Sequence, residues 1–79
     1  MATTTKNLTD AQISKLRTEA GQHGDYEQVA ICDLALTGAF DRDDYTVLSR
    51  VQADRISEMS RDDAYAAIAS AINDAAAQA

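Results

Sequence analysis

The chain runs for 79 residues without a proline. Proline is the strongest breaker of a helix interior, at about 3 kcal/mol, so nothing in this sequence forces a long helix to stop. The remaining punctuation is three glycines, Gly21, Gly24 and Gly38, and a set of short polar residues suited to capping. Thr9-Asp10-Ala11-Gln12 has the form of a capping box, with Thr9 as N-cap and Gln12 three residues on. Ile13, Leu16 and Ala20 then recur at helical spacing, which predicts a first helix over about Asp10–Gln22. Asp25 is the N-cap candidate for a second helix, with Glu27 near the positive end of its dipole and Gly38 as its left-handed exit. Val29, Ala30, Ile31, Cys32, Leu34, Ala35 and Leu36 make that helix apolar on most sides, which predicts a central, largely buried element. The short Gly24-Asp25 junction makes residues 8–38 an antiparallel helical hairpin.

Beyond Phe40 the caps become acidic. A third helix is expected to open at Asp41–Asp44, capped by Asp41, with Tyr45, Leu48, Val51 or Gln52, and Ile56 as its apolar stripe and Met59 at its end. Ser60 then caps a fourth helix, with Asp62 and Asp63 in its first turn and Tyr65, Ile68, Ile72 and Ala75 or Ala76 facing inward. The alternative is one helix running through Ser60. No run alternates with period two, so strands are not expected. The fold class is therefore all-α: a small bundle of three to four helices opening with a hairpin. One helical domain covers 8–79, with an acidic second half over 41–79, preceded by a polar, threonine-rich leader (1–7) expected to be disordered and unlike a signal peptide.

The composition excludes several chemistries. Cys32 and His23 are single copies of their types, so no internal disulfide forms and a zinc site would need carboxylates. Cys32 sits in the most apolar helix, where a thiol behaves as a small hydrophobe, and His23 lies in a turn. Asp41-Arg42-Asp43-Asp44 resembles the start of a calcium loop. Yet Tyr45, Thr46 and Gln52 stand where that loop needs an oxygen ligand, a glycine and a glutamate. No phosphate loop, dinucleotide fingerprint or nucleophile elbow is present. The reading is a non-enzymatic protein without cofactor or metal. No stretch approaches a membrane span.

Thirteen acids oppose seven bases, for a formal charge of −6. Residues 1–40 hold five acids and three bases; residues 41–79 hold eight and four. Such a chain is a poor ligand for nucleic-acid backbone and a good one for a cationic protein surface. The candidate partner-binding residues are Asp41, Asp43, Asp44, Asp54, Glu58, Asp62 and Asp63. Asp54 and Glu58 are four apart on the third helix and share a face as like charges, which Arg50, Arg55 and Arg61 can offset.

Residues 8–38 read LTDAQISKLRTEAGQHGDYEQVAICDLALTG. The L-T-D-x-Q-I start, the L-R-x-E-A run, the G-D turn and the V-x-I-C-D-x-A-L helix resemble a pattern in short phage and mobile-element proteins. Some small acidic proteins of this kind are anti-CRISPR proteins, which bind CRISPR effector complexes and block DNA capture. The resemblance covers about two-fifths of the chain and implies a cytoplasmic inhibitor of a bacterial nucleic-acid-binding complex. The second half departs from the pattern: an acidic helical extension replaces a helix that commonly carries another cysteine, which points to the extension as the seat of the activity. The alternative expectation is a helical adaptor that dimerises or binds a partner through an apolar face, for which an exposed Tyr45, Met59 and Tyr65 would be the mark.

Overall fold

The computed structural model describes residues 8–78; the expected leader (1–7) lies outside the described residues. The elements are α1 (Asp10–Gln22), α2 (Tyr26–Thr37), a 3-10 turn (Arg42–Tyr45), α3 (Arg50–Glu58) and α4 (Arg61–Gln78), with no strand among the described residues. The protein is a small all-α bundle, and α1 and α2 form its opening hairpin.

The hairpin follows its local signals. Thr9 Oγ1 accepts from the Gln12 amide at 3.2 Å and the Gln12 side chain accepts from the Thr9 amide at 2.9 Å, closing the capping box. At the far end Gly24 takes φ 73°. The Asp25 amide donates to the Ala20 carbonyl at 2.8 Å and that of Gly24 to Gly21 at 3.2 Å, the paired bonds of a Schellman exit. Asp25 Oδ1 then accepts from the Gln28 amide, starting α2. Gly38, with φ 77°, ends it.

Helix α2 is the central element and packs against α1, α3 and α4. Its fully buried residues are small: Ala30, Cys32 and Ala35. The other helices each bring one fully buried isoleucine, Ile13 from α1, Ile56 from α3 and Ile68 from α4, into the same cluster. Small residues on the central helix and branched ones around it let the backbones approach closely while the space between them is filled.

The segment after Phe40 departs from expectation. The third helix does not open at Asp41–Asp44. Asp41 Oδ1 accepts from the Asp43 amide at 3.0 Å and starts only the 3-10 turn. Phe40 and Tyr45 stack at 5.3 Å and the Tyr45 hydroxyl bonds Asp33 of α2, drawing this turn onto the bundle. The β-branched Thr46 and Val47 follow, and α3 begins only after Ser49. There a second capping box forms, with the Gln52 amide donating to Ser49 Oγ at 3.2 Å and Gln52 Oε1 accepting from the Ser49 amide at 2.9 Å. The buried face of α3 is accordingly Ala53 and Ile56, while Val51 is 77% exposed. Met59 ends α3 as expected, and its extended backbone separates α3 from α4, so the single-helix alternative is not adopted. Ser60 Oγ accepts from the Asp63 amide at 3.1 Å. On α4 the core is met by Ala64, Ile68 and Ala69, whereas Ala75 and Ala76, one or the other of which was expected to face inward, are both exposed.

Candidate functional site

The acidic surface is defined first by the carboxylates that the fold uses. Asp33 accepts from Arg17 Nε at 2.6 Å and from the Tyr45 hydroxyl, joining α2 to α1 and to the 3-10 turn. Glu27 pairs with Arg55 and accepts from Gln52 Nε2 at 3.0 Å, joining α2 to α3. Asp54 pairs with Arg42, joining α3 to the 3-10 turn. Three of the chain's arginines are thus committed to carboxylates on other elements. The hydrogen bond and charge of Asp33 hold the Arg17 guanidinium above its ordinary value.

A fourth arginine is committed as well. Helix α2 has no basic residue in its last turn, which leaves the negative end of its dipole without a local cation, and the Gly38 amide satisfies only the Leu34 carbonyl. Arg61 supplies the cation from α4: its Nε donates to the Ala35 carbonyl at 3.1 Å, and its guanidinium lies 5.7 Å from the centre of the Tyr65 ring.

These pairings change the candidate set. Asp54 belongs to an internal ion pair and is not offset by Arg50, Arg55 or Arg61; Arg55 and Arg61 are engaged elsewhere. Asp41 and Asp63 are exposed but act as caps, the latter accepting from the Ser60 amide at 3.4 Å. Asp43, Asp44, Glu58 and Asp62 are exposed, and among the described residues none has a cation within ion-pair distance. They fall in two patches, 41–44 and 58–63. The first is tied to the C-terminal half of α2 through Tyr45 on Asp33, the second through Arg61 on the Ala35 carbonyl. Of the arginines near these patches in the linear sequence, Arg42, Arg55 and Arg61 are engaged with Asp54, Glu27 and the Ala35 carbonyl, while remaining exposed.

The remaining candidates have structural settings. Cys32 is fully buried, and burial pushes its thiol up, only partly opposed by a 3.7 Å contact from Gln28 Nε2. His23 caps the end of α1, its amide donating to Ala20 and Glu19. Among the described residues no three of His, Cys, Asp or Glu converge in a way that could hold a metal ion. No described helix is long and apolar enough to cross a membrane. The internal ion pairs were invisible to a reading of the sequence by local spacing, because their members are far apart along the chain. The Ser49-x-x-Gln52 box was visible, being the same kind of signal as Thr9-x-x-Gln12. Comparisons with protein-family models, with curated proteins and with solved structures return no match for this chain.

Proposed function

We propose that this protein is a non-enzymatic inhibitor of the anti-CRISPR kind, which presents acidic patches to the nucleic-acid-binding surface of a bacterial effector complex. The observation that carries this reading is the division of charge. Arg17, Arg42, Arg55 and Arg61 are held by the fold, while Asp43, Asp44, Glu58 and Asp62 stand in solvent without cations. Spaced carboxylates of this kind can meet the lysines and arginines that otherwise bind phosphates. Complementary charge of this sort raises association rate and specificity more than raw affinity. The adaptor alternative would need Tyr45, Met59 and Tyr65 as an exposed patch; all three instead pack, partly buried, against the core.

The test is a bacterial host panel carrying different CRISPR systems, challenged with targeted phage while expressing this chain. Restored phage growth in at least one host is expected. It should be lost in the Asp43→Asn, Asp44→Asn, Glu58→Gln, Asp62→Asn variant, which leaves the capping Asp41 and Asp63 and the paired Asp54 intact. Unimpaired inhibition by that variant, or immunity untouched in every host, sinks the proposal.

A further inference from the structure

We draw no further inference here: the strongest candidate, the depression between the C-terminal half of α2 and the 3-10 turn, walled by the stacked Phe40 and Tyr45 with Asp33, Asp41 and Asp44, belongs to the acidic patch at 41–44 already described, and nothing in the structure shows what fills it.

Discussion

The hairpin and the segment that joins it to α4 obey different kinds of instruction. In residues 8–38 each boundary is set by groups within a few positions of it: Thr9 with Gln12, Gly24 with Gly21, Asp25 with Ala20 and Gln28. In residues 39–60 local signals compete. Asp41 offers a cap, and so does Ser49; the first yields a single 3-10 turn and the second a helix. The choice is made by tertiary contacts, the Phe40–Tyr45 stack and the Tyr45 hydroxyl on Asp33, which hold the turn against α2. A cap signal is therefore permissive, and it acts where packing leaves the following turn free to propagate.

The largest effect that probes this contrast is in the core. Ile56 is the one large side chain of the 39–60 segment that is fully buried among the described residues. Ile56→Ala is expected to cost about 2–5 kcal/mol, as is Ile13→Ala in the hairpin. Chemical denaturation followed by circular dichroism checks this. Equal losses in one transition make the two regions a single cooperative unit; a separate early transition for Ile56→Ala would show that the joining segment opens alone.

Next come the caps. Ser49→Ala and Thr9→Ala each remove the acceptor of a complete capping box and are expected to cost about 1 kcal/mol in denaturant midpoints. A negligible cost for Ser49→Ala alone would mean that Glu27 and its partners Arg55 and Gln52 hold α3 without its cap.

Cys32 gives a smaller, pH-dependent effect. Burial raises its thiol above the ordinary value, so the native state keeps a proton that the unfolded chain releases in alkali. The resulting stability is fully present below about pH 8.5, the ordinary thiol value, and is lost as pH rises above it. Between pH 7 and 10 the denaturation midpoint should fall further for the wild type than for Cys32→Ala. Parallel declines would refute the assignment. The smallest effect is expected at Val51, 77% exposed on α3, where Val51→Thr should change stability by less than about 0.5 kcal/mol; a larger loss would restore Val51 to the inward stripe.

The all-α class, the hairpin and the breaks at Gly24, Gly38 and Met59 were legible in the sequence because helix caps act over three or four residues. The start of α3 was misread because three aspartates satisfy the same dipole rule as a true helix start. On α4, helical spacing correctly found Ile68 but carried the stripe on to Ala75 or Ala76, where no neighbour covers either. The candidate acidic residues were legible as a composition, yet the separation of Asp54 from Asp43, Asp44, Glu58 and Asp62 depends on where Arg42, Arg55 and Arg61 reach in space. No local pattern encodes that.

The run of small buried residues on α2 has a consequence for how such a chain can diverge. Ala30, Cys32 and Ala35 have no exposed surface and belong to the one core cluster, so enlarging any of them overpacks the core. These positions act as a spacing gauge, and substitutions there are filtered hard. Asp43, Asp44, Glu58 and Asp62, in the patches at 41–44 and 58–63, are exposed and under no such constraint. The charge at those four positions can therefore be rewritten one residue at a time while the interhelical distances stay fixed.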